Sequence, residues 1–211
     1  MTEKPWLTLV AGPEGGGKST LTRAIAASGF DLGLYVNADD IAAEIIGQLQ
    51  GARPAQATLD RAVANETAAR RQYGLEGGRA FTVETVLASP ADLAFIKLAK
   101  AHGYRTRLIF IGTGDAKLNA ARVKRRVSEG GHDVPEKAIA AGHERAAEQL
   151  APACLLTDDA YLFDNSGPTL RLVASIANKP GAKPGIRFAP PLPTWVMAFA
   201  QNVTALVKAA E

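Results

Sequence analysis

A glycine-rich stretch near the amino terminus carries the residue types that bind phosphate. Residues 12–19 fill the pattern G-x-x-x-x-G-K-[ST], between an apolar run and a helix-forming one. Glycines let backbone N–H groups approach phosphate oxygens, Lys18 is expected to reach the β and γ phosphates, and the Ser19 hydroxyl is expected to bind Mg²⁺. A turn that only joins a strand to a helix would not need this lysine and hydroxyl. The predicted nucleotide-binding residues are Gly12, Pro13, Glu14, Gly15, Gly16, Gly17, Lys18, Ser19 and Thr20.

Acidic side chains follow two of the predicted strands. Asp39 and Asp40 come after an apolar run at 34–38, and Glu84 follows the run at 80–83. In open α/β sheets the ligand lies beyond the carboxyl ends of the strands. Phosphoryl transfer to a hydroxyl needs a carboxylate that accepts the proton, and Asp39 is our candidate for this base. The alternative role for the pair is helix capping, which we assign to Asp40.

A basic helix is predicted from Lys117 to Glu129. Arg122 and Arg126 are four residues apart and share a face of this helix, whereas its other basic residues point elsewhere. Such a face can close over a triphosphate and stabilise the transferring phosphoryl group. The alternative is a solvated surface helix. We predict that residues 115–135 form a lid, with His132 in the loop just beyond the helix.

The elements that position these residues alternate between strand and helix. Five short apolar runs predict strands, at Trp6–Ala11, Leu34–Ala38, Ala80–Val83, Arg107–Ile111 and Tyr161–Phe163. This alternation predicts an α/β protein with the P-loop NTPase fold, built on a five-stranded, mostly parallel sheet with helices on both faces. The predicted kinase-like domain spans residues 1–177.

The carboxyl-terminal part differs in composition. Residues 178–193 contain five of the twelve prolines and predict an extended linker. Residues 194–211 carry an apolar stripe and predict an amphipathic helix. Two interpretations are open: this helix docks on its own domain, or it contacts a partner.

Composition restricts the class of protein. The chain has 211 residues, 47% of them hydrophobic, which suits one main domain. The single cysteine, Cys154, cannot form an internal disulfide, and no secretion signal or membrane-spanning run is evident, so we expect a soluble cytoplasmic protein. The net charge of +3 makes nucleic acid an improbable general partner.

Together these segments resemble the zeta-toxin-like kinases of bacteria. The resemblance covers residues 7–173 and rests on six segments, which are 12–19, 36–39, 83–85, 121–127, 130–135 and 164–167. It implies an ATP- and Mg²⁺-dependent kinase with the sheet order of adenylate kinase-like proteins. By this resemblance Asp39 is the base, Glu84 with Thr85 contacts the acceptor, and Arg122 or Arg126 meets the phosphates. For the best-known members it also implies a UDP-N-acetylglucosamine acceptor and an antitoxin partner.

The sequence departs from that family in two places. The nearest counterpart of a second phosphate-binding arginine is His132, and Val86 replaces a threonine. The acceptor and the oligomeric state therefore stay open. Two further hypotheses are a nucleotide-dependent switch without kinase activity, which would not need Asp39, and a nucleic-acid end kinase, which would need a basic groove.

Overall fold

The computed structural model describes residues 3–49, 54–129 and 134–209, and it shows seven strands and seven helices within those ranges. The strands are β1 (Trp6–Ala11), β2 (Leu34–Val36), β3 (Phe81–Thr85), β4 (Arg105–Gly112), β5 (Asp159–Asp164), β6 (Arg171–Ala177) and β7 (Gly185–Phe188). The helices are α1 (Lys18–Ala27), α2 (Ala38–Gln48), α3 (Gln56–Gly77), α4 (Pro90–Ala101), α5 (Ala116–Ser128), α6 (Glu136–Leu156) and α7 (Thr194–Ala209).

All seven strands form one sheet in the order β2-β3-β1-β4-β5-β6-β7. The first five are parallel, and Leu9 in the central strand β1 pairs with Val83 on one side and Leu108 on the other. Strands β6 and β7 are antiparallel additions at one edge. Because the parallel strands point the same way, the loops after β1, β2, β3 and β4 meet along one edge of the sheet.

The predicted strand number of five is wrong by two. The five predicted strands are present and make up the parallel part, but Arg171–Ala177 and Gly185–Phe188 add two more. The predicted linker at 178–193 therefore contains a strand of the main sheet. Its prolines and glycines flank a short Ile186-Arg187-Phe188 run, which takes regular structure only because β6 supplies a pairing edge.

Side chains alternate across the two faces of β1. Leu7, Leu9 and Ala11 belong to the main buried core, which α4, α6 and α7 complete on that face. Thr8 and Val10 point to the other face, where Ile25 of α1 lies beside them. The sheet therefore has helices on both faces.

Side-chain caps mark the starts of three helices, α2, α4 and α5. Asn37 caps α2 by accepting a hydrogen bond from the N–H of Asp39 at 2.9 Å, and Ser89 and Asp115 cap α4 and α5 in the same way. The assignment of Asp40 as a cap is wrong, because α2 begins at Ala38 and both aspartates lie in its first turn. Their carboxylates still favour that end of the helix through its positive dipole.

The carboxyl-terminal helix docks on its own domain. Val196, Phe199 and Val203 are buried against the core, and the ring of Phe199 contacts Phe188 of β7 at 6.5 Å between centroids. The partner-contact interpretation is thus not needed to explain this stripe. Across the described ranges, no helix combines the length and apolar character that a membrane crossing requires.

Candidate active site

The glycine-rich loop connects β1 to α1, and its last glycine, Gly17, precedes the first helical residue, Lys18. The ammonium group of Lys18 turns back over the loop, donates to the Pro13 carbonyl at 3.3 Å and lies 3.9 Å from a Glu14 oxygen. Lys18 is buried, as expected of a cation reserved for the inside of a phosphate-binding loop. Thr20 is exposed.

Two glycines of this loop leave no room for a side chain. A Cβ on Gly15 would come within 2.5 Å of the Asn119 carbonyl oxygen in α5, and one on Gly17 within 2.5 Å of the Asn165 amide nitrogen. Both glycines also have positive φ, at 70° and 104°. Close packing against α5 and the turn after β5 thus fixes a loop whose concave side can hold phosphate oxygens.

The turn after β5 ties three parts of the site together. The Asn165 amide donates to the Gly16 carbonyl at 2.8 Å, and the Asn165 carbonyl accepts from Arg122 at 2.8 Å. Directly before it, the Asp164 carboxylate accepts from the indole N–H of Trp195 in α7 at 3.0 Å. This turn therefore links the phosphate-binding loop, the basic helix α5 and the carboxyl-terminal helix.

Glu84 lies at the end of β3, beside the start of α1. Its carboxylate accepts a hydrogen bond from the Ser19 hydroxyl at 2.9 Å and another from the Tyr35 hydroxyl. Burial raises the pKa of Glu84 above its ordinary value, although nearby Lys18 and the two hydrogen bonds oppose the rise. Burial, with the hydrogen bond to Glu84, also raises the pKa of Tyr35.

The Ser19 hydroxyl and the Glu84 carboxylate, which are hydrogen-bonded to each other, are oxygen ligands of the kind that Mg²⁺ binds. Magnesium usually takes one or two protein oxygens and keeps its other positions for water and nucleotide phosphates. Within the described ranges no group of three or more His, Cys, Asp and Glu residues is arranged to hold a metal. Ser19 and Glu84 therefore match the sparse protein ligation that a nucleotide-bound magnesium ion needs.

Asp39 and Arg126 face each other across the mouth of the site. The Asp39 carboxylate lies 3.4 Å from a guanidinium nitrogen of Arg126, and both side chains are partly exposed. On α5, Arg122 and Arg126 are half-buried, whereas Lys124 and Arg125 are exposed. Partial burial and the negative charge of Asp39 raise the pKa of the neighbouring Asp40.

One of the remaining predicted residues, Thr85, does not enter this arrangement. The Thr85 hydroxyl turns away from Glu84 and donates to Asp92 of α4 at 3.1 Å. His132 lies outside the described residues. The structure thus brings together Lys18, Ser19, Glu84, Asp39 and Arg126, with Arg122 beside the loop.

A large cleft opens beside these residues, between α2, α3 and α4. Its volume is about 1720 Å³, and Ser19, Tyr35, Asp39 and Arg126 line the end next to the phosphate-binding loop. Alanines and larger apolar side chains of α2, α3 and α4 form much of the remaining wall. The cleft is large enough for a small-molecule ligand beside the glycine-rich loop.

Sequence reasoning missed some residues of this site. Tyr35 and Asn37 stand at the end of β2 and form a hydrogen-bonded group with Glu84, since the Asn37 amide donates to the Tyr35 hydroxyl at 3.2 Å. Their position at the carboxyl end of a predicted strand was the available signal. Thr67 and Arg71 of the cleft wall lie within a long helix, where spacing gave no such signal.

Comparison with known proteins is consistent with this geometry. A sequence model named Zeta toxin matches residues 1–170. The chain belongs to the zeta toxin family. A curated protein from Haemophilus influenzae, described only as uncharacterized, is 28% identical over 128 residues, which are 61% of this chain and 85% of that protein.

Solved structures related to this zeta toxin family member share its fold. The AvrRxo1-ORF1:-ORF2 structure with ATP has a TM-score of 0.67 at 16% identity, covering 95% of this chain and 64% of that one. The PezAT toxin-antitoxin system of Streptococcus pneumoniae gives 0.58 at 15% identity, covering 78% and 69%. A putative kinase from Chloroflexus aurantiacus gives 0.52 at 16% identity, covering 62% and 71%. The chain thus spans just under two thirds of the AvrRxo1-ORF1 structure, and it has a P-loop kinase-type architecture.

Proposed function

We propose that this protein is an ATP- and Mg²⁺-dependent kinase that phosphorylates a hydroxyl group of an acceptor bound in the cleft. The observation that supports it best is the position of Asp39. This carboxylate lies at the mouth of a cleft large enough for a second substrate, which the Ser19 end of the phosphate-binding loop also lines. A nucleotide-dependent switch would not need an acid at that point.

The roles of the residues follow from their contacts. Backbone N–H groups of the glycine-rich loop after Pro13, together with Lys18 and Arg122, would hold the nucleotide phosphates, and Ser19 with Glu84 would hold the magnesium ion. Magnesium-bound ATP supplies the phosphoryl group. Asp39 accepts the proton of the acceptor hydroxyl as its oxygen forms the new bond to phosphorus, while the bond to the ADP oxygen breaks. Arg126, which pairs with Asp39, offsets negative charge at this centre.

The acceptor we favour is a molecule of sugar-nucleotide size, similar to UDP-N-acetylglucosamine. Pockets for small ligands have volumes of roughly 300–1,000 Å³, and the cleft, at about 1720 Å³, is larger. Its charged lining residues are three arginines and three aspartates. This balance disfavours a nucleic-acid end kinase, which needs a basic groove for the phosphate backbone.

Mass spectrometry of a metabolite extract incubated with ATP, Mg²⁺ and the protein tests the kinase proposal. We expect one metabolite to gain a phosphoryl group with the wild-type protein and with Lys97→Ala, an exposed lysine outside the cleft. Lys18→Ala should abolish the product, because the cation that contacts the phosphates is gone. A product that persists with Lys18→Ala, or no product with any of the proteins, would contradict the proposal.

We also propose that an antitoxin protein binds this chain. The support is family membership, together with related structures from the PezAT toxin-antitoxin system and from AvrRxo1-ORF1 with its ORF2 partner. Co-purification of the protein with the product of a neighbouring gene, and inhibition of phosphoryl transfer by it, would test this proposal.

A further inference from the structure

The wall of the cleft that α3 forms contains two polar atoms with unused hydrogen-bonding capacity. Thr67 and Arg71 are four residues apart, so they lie on one face of α3, and both line the cleft. Within the parts of the chain that the structure describes, Oγ1 of Thr67 and Nε of Arg71 are shielded from solvent and have no hydrogen-bond partner. Because an unsatisfied buried polar atom is costly, such a pair in a cleft wall calls for an explanation.

Arg71 contacts two residues of α4, Asp92 and Phe95. One of its terminal nitrogens lies 3.5 Å from the Asp92 carboxylate, and its guanidinium carbon lies 5.2 Å from the centroid of the Phe95 ring. Asp92 in turn accepts from Thr85, the residue after Glu84. Arg71 is therefore attached to the end of β3 through two contacts.

A purely structural role explains only part of this arrangement. Bracing α3 against α4 accounts for the contacts of Arg71 with Asp92 and Phe95. It does not account for the Nε of Arg71 and the hydroxyl of Thr67, which lie on the same face and have no hydrogen-bond partner among the described residues. Burial also lowers the pKa of Arg71, because the guanidinium loses contact with water at this position. An anion bound in the cleft would compensate for that lost hydration.

We propose that Thr67 and Arg71 form a binding site for an anionic oxygen group of the acceptor, either a phosphate or a carboxylate. This inference rests on the proposed function, because it assigns the cleft to the acceptor. The planar fork of Arg71 donates to two oxygens of one such group, and the Thr67 hydroxyl donates to a third. The site fixes the acceptor at the α3 wall, so that its hydroxyl is presented to Asp39.

Anion titration of the full chain tests this site without any turnover. The phosphate-binding loop is first filled with Mg²⁺ and a non-hydrolysable ATP analogue, and calorimetry then measures the affinity for inorganic pyrophosphate and, separately, for malonate. The variants are Arg71→Met, Arg71→Lys and Thr67→Val, which keeps the side-chain volume. Arg61→Met is the matched control, since Arg61 is an exposed arginine of the same helix outside the cleft.

We expect one of the two anions to bind, and the wild-type protein and Arg61→Met to have the same affinity for it. The anion that binds more tightly identifies the acceptor group as phosphate or carboxylate. Arg71→Met should bind it at least about tenfold more weakly, Arg71→Lys should be intermediate, and Thr67→Val should lose about threefold to tenfold. If the wild-type protein binds neither anion, or if all variants bind equally, the proposal is overturned. Intact anion binding without phosphoryl transfer would instead contradict the kinase proposal alone. Thr67→Val keeps the test decisive if loss of Arg71 unfolds the chain.

Discussion

Replacing Asp39 by asparagine should remove most of the phosphoryl transfer while leaving the fold intact. The asparagine keeps the shape of the side chain and removes the carboxylate that we propose accepts the acceptor proton. Loss of a general base lowers turnover by about 10² to 10⁴. That loss corresponds to a rise of about 2.7 to 5.4 kcal/mol in the activation free energy.

The effect on stability should be much smaller. The Asp39 side chain is 46% exposed and that of Arg126 is 36% exposed, and their atoms lie 3.4 Å apart. A pair so exposed to solvent contributes about 0 to 1 kcal/mol. For a chain of this size the melting temperature should therefore fall by no more than about 4 °C. The expected rise in activation free energy is about three or more times the expected loss in the free energy of unfolding. Measurements of turnover and of melting temperature can therefore separate the two.

The assay compares turnover of the phosphorylated metabolite with ATP affinity measured by calorimetry. Asp39→Asn should show the large loss in turnover with near-normal ATP affinity, whereas Asp40→Asn, the adjacent carboxylate, should lose far less. If Asp39→Asn retains turnover within about tenfold of the wild type, Asp39 is not the base. Glu84→Gln and Asp40→Asn, assayed side by side, would then show which carboxylate takes that role.

Three further predictions concern the surroundings of this centre. Burial raises the folded-state pKa of Glu84 above its ordinary value of 4.5. The native protein therefore loses stability as the pH rises from that ordinary value through the higher folded-state pKa. Glu84→Gln should therefore melt at a higher temperature than the wild type near pH 7, with an advantage that vanishes below about pH 4, and a pH-independent difference would refute this account. Asn165→Ala removes the hydrogen bond to Gly16 and should weaken ATP-analogue binding, as calorimetry would show, with unchanged affinity as the contrary result. Hydrogen exchange across residues 117–135 should slow when a non-hydrolysable ATP analogue binds, since Arg122 and Arg126 then gain phosphate partners, and equal exchange in both states would argue against a lid.

The sequence predicted the parallel part of the sheet well because each of its strands contains a short apolar run, and the first four of them along the chain are each followed by a helix. Strands β6 and β7 escaped prediction for a physical reason. Arg171–Ala177 places Leu172, Val173 and Ile176 among two alanines and a serine, and Gly185–Phe188 is four residues long, so the local pattern of neither segment decides for a strand. β6 becomes a strand because the edge of β5 is available to pair with, and β7 because the edge of β6 is, and sequence patterns do not record such pairing.

The candidate site likewise contains residues that the sequence predicts and residues that only the folded structure identifies. Lys18 and Ser19 belong to a continuous pattern whose chemistry is local, and Asp39 and Glu84 follow predicted strands. Arg71 acquires its surroundings from Asp92 and Phe95 on another helix, and only the folded chain brings these together. The capping residue of α2 was misassigned by three positions, because an asparagine and two aspartates that cap equally well stand within four residues.

The boundary of the family match has a practical consequence for anyone who shortens this chain. That match ends at residue 170, just before β6, whereas β5 receives its antiparallel partner from Arg171–Ala177. A protein cut at this boundary would present the N–H and C=O groups of β5 as a bare edge, and the core face now covered by Val196 and Val203 would meet water. Open edges of this kind recruit strands from other molecules, so the shortened protein should aggregate. A shortened version of this protein should therefore keep β6, β7 and α7.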